Sequence, residues 1–486
     1  DFTFAGTRDL NMGTGNVTMN ASRTVTVNAG SLRLSGVNTY TGGTTLAAGA
    51  TLYAGNNSAF GTGALTLNGG TLSSASATAY TLANNTTIGG NLTFGDGVNA
   101  GNLTLNGTVG LGTTVRSLTV SSDVNVTMNG VISGALGGIT KLGAGTLTLG
   151  GASANTFTGA TTLTAGTLAT TTAGRFTTTS GVSVGAGTTL SLGANETINA
   201  LTTTTTSTIV LNASGATLTT GASTLTLYGT VSGTGNLTKA GAGTVTLDAA
   251  GTFSYTGLTT VSAGTLAYAA NDQLSGAVTV AGGTLSLGAF TDTIGKLTVS
   301  GGAITGTGAF TVNTTDTFDL QSGSVAIDLN GSAAATKTTA GSVTLTGNNG
   351  FTGGFTLSLG TVLIGTDTAL GNGALALNGG VLASNATVAA AGARSIANNL
   401  TIGGNVTLGN GTNTGVLTFG GTVDLGAASR TLTTDSDVTM SGVISNGTLT
   451  KAGAGTLTLS GLNSYAGLTT VTAGTLVTTS AGILAN

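Results

Sequence analysis

Apolar and polar positions alternate with period two along most of this chain. Asn102-Leu103-Thr104-Leu105-Asn106, Ser117-Leu118-Thr119-Val120-Ser121 and Ala277-Val278-Thr279-Val280-Ala281 show the pattern. Side chains on a strand point alternately to its two faces, so this is strand periodicity, and none of it fits the 3.6-residue repeat of a helix. Such segments recur every ten or so positions between Gly, Asn and Ser turns, and no segment carries ten residues of helical pattern. The sequence therefore predicts an all-β protein.

A larger repeat is laid over this alternation. Five stretches, 30–52, 140–168, 238–266, 341–363 and 449–476, read strand, sharp turn, strand, each with one aromatic at the turn: Tyr40, Phe157, Tyr255, Phe351 and Tyr465. The spacings between these aromatics run long, short, short, long, so a still larger unit repeats. Gly63-Ala64-Leu65-Thr66-Leu67-Asn68-Gly69-Gly70 returns as Gly373-Ala374-Leu375-Ala376-Leu377-Asn378-Gly379-Gly380. Lys141 returns at Lys451 with the same offset, and Ala83-Asn84-Asn85 returns at a slightly longer one as Ala397-Asn398-Asn399.

A sandwich of this length would need several cores and linkers, whereas the strands here continue without a Pro-rich or charged break. One continuous solenoid over residues 1–486 is the simpler expectation. Each coil of a parallel solenoid buries its inner face only against its neighbours, so Leu147 and Leu149 are expected to point inward and Thr146 and Thr148 outward. With roughly 20 residues per coil the chain would form a rod of about 24 coils, on the order of 115 Å long at the ~4.8 Å strand spacing.

Composition agrees. At ~5% usage a chain this long would hold roughly 24 prolines, yet it has none, and it also lacks Cys, His and Trp. Proline cannot donate to a strand ladder, so its absence suits a chain whose strands pair on both sides. Charged residues are 6% and the net charge is −3. No basic stripe exists to displace counterions from phosphates, which argues against nucleic acid as a partner. No apolar run approaches the length of a membrane-spanning helix.

The residues Leu449-Thr450-Lys451-Ala452-Gly453-Ala454-Gly455-Thr456-Leu457-Thr458-Leu459-Ser460-Gly461, then Asn463-Ser464-Tyr465, Gly467, Thr469-Thr470-Val471 and Ala473-Gly474-Thr475-Leu476, resemble the autotransporter-associated β-strand repeat, also called the passenger-associated transport repeat. The resemblance covers the five stretches above. The lysine step stands at Lys141, Lys239 and Lys451 and is absent from 30–52 and 341–363. It implies a single-stranded right-handed parallel β-helix in the secreted passenger of a Gram-negative bacterium, with adhesive, aggregative or other surface roles and a part in export across the outer membrane. The chain opens at Asp1 without a secretion leader and stops at Ser480–Asn486 without amphipathic barrel strands, so it reads as an excerpt of a longer protein. Absent cysteines fit export, since a disulfide would obstruct threading of an unfolded chain.

Candidate chemistry is sparse. Gly181-Val182-Ser183-Val184-Gly185 matches a nucleophile elbow, but that motif needs a strand-to-helix turn and a His partner, and the chain has no His. The closest acids are Asp316 with Asp319 and Asp435 with Asp437, which read as solvated turn or strand-edge residues, and Glu196 is the sole Glu. Lys141, Lys239 and Lys451 precede Gly-Ala-Gly turns and read as solubilising charges; Arg116, Arg394 and Arg430 are isolated. Thr-x-Thr at Thr146 to Thr148, Thr244 to Thr246 and Thr456 to Thr458 resembles ice-binding ladders, with Asn, Ser or Ala at one position of most intervening strands. No catalytic, cofactor-binding or metal-binding residue is expected, and no cofactor. The expectation is a non-enzymatic extracellular structural protein, a stalk, fibre or adhesin segment at a bacterial surface, self-associating head-to-tail or laterally. Its other partners would be cell or abiotic surfaces or glycans. A carbohydrate-active or glycan-binding β-helix is the alternative.

Overall fold

The computed structural model describes residues 1–19, 22–213, 215–386 and 392–479. Among these there is no helix, and every strand pairing is parallel. The chain is a β-solenoid of about 22 turns, fewer than the 24 expected because the turns run slightly longer than 20 residues. It falls into two compact units, Asp1–Gly257 and Leu258–Asn486.

Within the first unit up to three strands of each turn contribute to three faces. The first face runs from Phe2–Phe4 to Ile132–Ser133, the second from Asp9–Asn11 to Leu201–Thr202 and the third from Tyr80–Leu82 to Thr252–Phe253. Register on the third face stacks Leu103, Val126, Leu147, Leu168, Leu190, Ile209, Val231 and Phe253 in one inward column. All eight are buried. The flanking Thr146 and Thr148 are half-exposed, as the alternation predicts.

The second unit is built alike. Val278, Leu297, Phe318, Ala335, Phe355, Leu375, Leu400, Val423 and Ile444 form one buried column. Ala335 lies between two phenylalanines, so the small residue makes room for large neighbours, and the Phe351 ring fills in against Phe318 at 5.6 Å between centroids.

Tight turns separate the strands. Gly143 and Gly453 sit in the left-handed region, with φ of 75° and 79°. A Cβ on Gly143 would stand 2.2 Å from the Val120 carbonyl oxygen, so both backbone conformation and space require glycine there.

The internal duplication extends to hydrogen bonds. Asn85 Oδ1 accepts from Thr108 N at 3.1 Å and Asn399 Oδ1 from Thr422 N at 3.2 Å. Asn91 accepts from Ser117 N at 3.0 Å and Asn405 from Thr431 N at 2.9 Å, while Arg116 Nε and Arg430 Nε each donate at 3.0 Å, to the Leu111 and Leu425 carbonyls.

Leu168→Ala, in the middle of the third-face column, is expected to lower stability by about 3 kcal/mol through lost burial and the cavity left behind. Its outward neighbour Thr167→Ala should change stability by no more than about 0.5 kcal/mol. Urea unfolding of both variants checks the inward and outward assignment.

Candidate functional site

In Ile139-Thr140-Lys141 the alternation puts Lys141 on the same side as Ile139, which is the inside. Lys141 is 0% exposed. Its Nζ donates to the carbonyls of Leu142 at 3.0 Å, Gly143 at 2.7 Å and Ala165 at 3.1 Å. The three ammonium protons thus meet carbonyls of its own tight turn and of the next turn of the solenoid. Lys451 repeats the arrangement with Ala452, Gly453 and Ala473 at 2.9, 2.8 and 3.0 Å. Lys239, also buried, donates to Gly241 O. These lysines are therefore not solvated charges, as their place beside a turn had suggested. They are internal staples, because the tight turn leaves carbonyls with no strand partner.

The fourth stretch has its staple too. Lys337, four residues before Gly341, is fully buried and donates to Thr339 O and, at 3.0 Å, to Leu359 O. In the first stretch the place is taken by buried Val27. Burial depresses all four lysines, Lys141 down to about 8.

A second device is Asn-x-aromatic. Asn38 Oδ1 accepts from Val17 N at 2.6 Å and its Nδ2 donates to Ala59 O at 2.6 Å, joining the preceding turn to the following one. Asn349 does the same between Leu329 N and Ala369 O, and Asn155 between Ile132 N and Arg175 O. Asn463 accepts from Ile444 N, and in the third stretch Phe253 occupies the position. The aromatics two residues on, Tyr40, Phe157, Tyr255, Phe351 and Tyr465, are all buried. Tyr40 and Tyr465 pair their hydroxyls with Thr44 and Thr469 at 2.6 and 2.7 Å. Phe157 has no hydroxyl to offer, and Thr161 Oγ1 is left buried without a partner.

The stretches built on these devices match the passenger-associated-transport-repeat family, at residues 25–54, 139–169, 237–267, 336–364 and 449–477. The chain carries five passenger-associated transport repeats. They make up a little under a third of it, and with the β-solenoid they fit an autotransporter passenger-type surface protein. No curated protein and no solved structure was found to match the chain.

Between the second and third repeats the first unit buries a pair of charges. Arg175 and Glu196 are each 1% exposed. Glu196 Oε2 accepts from the backbone N of Arg175 at 2.8 Å and of Phe176 at 3.3 Å, while the Arg175 guanidinium donates to the carbonyls of Gly150 and Ala173. Desolvation dominates and pushes Glu196 up to about 7. In the second unit Asp292 is similarly buried, accepts from Tyr268 Oη at 2.9 Å and Leu274 N at 2.8 Å, and is pushed up to about 6. Sequence reasoning missed these buried charges, although parity with Ile198 in Glu196-Thr197-Ile198 was a signal for the first.

The other candidates stay apart. Ser183 lies on strand Val182–Val184, which pairs on both sides with parallel strands and leads into no helix. Asp435 and Asp437 are exposed in the turn after Thr434, where Asp437 accepts from Thr456 N. Asp319 pairs with Lys296 at 3.3 Å, and Arg394 donates to the adjacent Ala393 carbonyl. Thr146, Thr167, Thr189, Thr208, Thr230 and Thr252 form one unbroken outer column, but the companion column reads Thr148, Ala169, Ser191, Val210, Ser232, which breaks a two-column Thr array.

Two expectations follow. Phe157→Tyr should supply Thr161 with the partner that Thr44 and Thr469 have, raising stability by about 1 kcal/mol in chemical denaturation. Thermal stability should pass through a minimum near neutrality. From pH 4.5 to about 7 the unfolded chain gives up the Glu196 proton first, so stability falls as pH rises. From pH about 8 to 10.5 the folded chain gives up the Lys141 proton first, so stability rises until the buried Tyr40, raised to about 12, reverses the trend. Calorimetry across this range checks both limbs. Glu196→Gln should make the acid limb shallower, leaving the part due to Asp292, and Lys141→Met the alkaline one, leaving the part due to the other buried lysines.

Proposed function

We propose that the chain is a non-enzymatic, load-carrying segment of an exported bacterial surface protein, a stalk, fibre or adhesive stretch built as one continuous solenoid. The observation that carries this reading is where the repeats put their distinctive residues. Where the repeats carry them, lysine and asparagine face into the stack and tie turn to turn while the aromatic fills the core beside them, so the chemistry of the repeat is spent on cohesion. What remains outside is largely Thr, Ser, Asn and Gly, with little charge to repel a second copy. Strands stacked in register resist extension through many parallel hydrogen bonds, and folding outside the cell onto an already formed turn would help draw the chain outward. Unpaired strand edges at the last turn of a solenoid are pairing surfaces, which supports head-to-tail or lateral self-association.

Electron microscopy of the purified chain tests the reading. Thin rods, or filaments far longer than one chain, are the expected result; compact round particles would overturn it. Self-association is checked separately by light scattering, where the mass should grow with concentration, and a monodisperse monomer at high concentration would remove that part.

A further inference from the structure

We infer that the second face of the first unit holds a groove for a linear, uncharged glycan, seated where its strand ladder breaks between Leu201–Thr202 and Leu225–Leu227. This goes beyond the structural role proposed above and stands without it.

The break is specific. The ladder of this face runs without interruption from Asp9–Asn11 to Leu201–Thr202, and Leu225–Leu227, which lies against that last strand, pairs instead with Thr244–Leu247 in another sheet. The side chain of Thr203 spans the gap: its Oγ1 accepts from Tyr228 N at 2.8 Å and donates to Thr226 O at 3.4 Å. Two strand edges thus face each other without ladder bonds, held apart by a hydroxyl. A side chain thus takes the place of the ladder across the gap.

Two cavities meet there. One of about 370 Å³ lies between Ala200–Thr203 and Ser223–Tyr228, and one of about 240 Å³ lies over Thr162, Ser183 and Thr202. They share Ala200 and Thr202 and so form one groove along the stacking direction. Register lines up Ser117, Thr140, Thr162, Ser183 and Thr202 on the outer side of this face, one hydroxyl per turn at the ~4.8 Å strand spacing. The unbroken third face carries a comparable threonine column, so hydroxyls alone do not make the groove. The ladder break does.

The lining decides the occupant. Every residue around both cavities is Ala, Gly, Val, Leu, Ser, Thr or Tyr. No ionisable side chain offers a counter-charge to an acidic or basic polymer, and no broad apolar surface suits a lipid. A straight row of hydroxyls, a gap without ladder bonds and the half-buried ring of Tyr228 match a chain of sugar rings, which presents hydroxyls at its edges and C–H faces for an aromatic ring.

The test uses the full chain and neutral hexasaccharides of β-1,4-linked glucose and of β-1,4-linked N-acetylglucosamine, with hexagalacturonate as the charged counterpart and an extended Thr/Ala decapeptide as the strand-like one. Saturation-transfer NMR and calorimetry read binding. A neutral hexasaccharide should bind, with affinity reduced about tenfold or more by Tyr228→Ala and by Ser183→Lys, and unchanged by Thr189→Lys on the third face. Ser183 lies on the outer side of its strand, so its variant keeps the test open if Tyr228→Ala fails to fold. No binding of either neutral sugar at millimolar concentration would overturn the proposal. So would equal loss in Thr189→Lys, equal binding of hexagalacturonate, or a groove that takes the peptide instead. Rods in the microscope would be unaffected by any of these outcomes, so this proposal and the structural reading fail separately.

Discussion

Everything in this protein depends on parallel strands stacked in register, where each residue sits directly over its equivalent one turn away. A column such as Leu103 to Phe253 is stable because every member covers the one before and is covered by the one after. The same rule forbids an isolated intruder. A proline would remove a bond from a ladder used on both sides, and the sequence contains none. A polar group turned inward must find partners within its own turn or an adjacent one, since nothing else is within reach.

The buried lysines and asparagines are answers to that demand. Carbonyls of a tight turn have no strand opposite them, and an ammonium with three protons satisfies three at once while joining two turns. Val27 shows that the place can also be apolar when the turn before Gly30 is one residue shorter. Asn38 and Asn349 work on the same principle, accepting from one turn and donating to the next. Desolvation is the cost: each lysine is depressed from its ordinary value, and the Arg175 and Glu196 pair shows the penalty at its clearest, with one carboxylate oxygen lacking a hydrogen-bond partner.

Strand content and the inward places of Leu147 and Leu149 were legible in the alternation, and parallel stacking in repeats that follow one another without a break. So was the duplication, down to Asn85 and Asn399. The lysines were misread because charge outweighed parity in the reading: Lys141 stands two residues from Ile139 and Lys451 two from Leu449, the spacing that puts both members of each pair on the inner face. The ladder break after Thr202 left no such signal. Leu201-Thr202-Thr203 and Thr224-Leu225-Thr226-Leu227 carry the same apolar and hydroxyl alternation as strands whose ladders continue.

The two copies of the duplicated segment separate what stacking requires from what it permits. Leu32, Leu52 and Leu72 form an inward column in the first unit, and Val343, Val362 and Leu382 form it in the second, all buried. On the outer side of the same strands the first unit carries Arg33 and Tyr53, with the guanidinium 4.9 Å over the tyrosine ring, and the second carries Thr344 and Leu363, while the next position, Ser73 or Ala383, is buried in both. The inner column keeps its apolar character while the outer one changes in charge, size and aromaticity. Cohesion is therefore met from within, and the outer faces are free to diverge turn by turn. That freedom allows a cohesive repeat to carry a local groove on one face of one unit without weakening the stack that presents it.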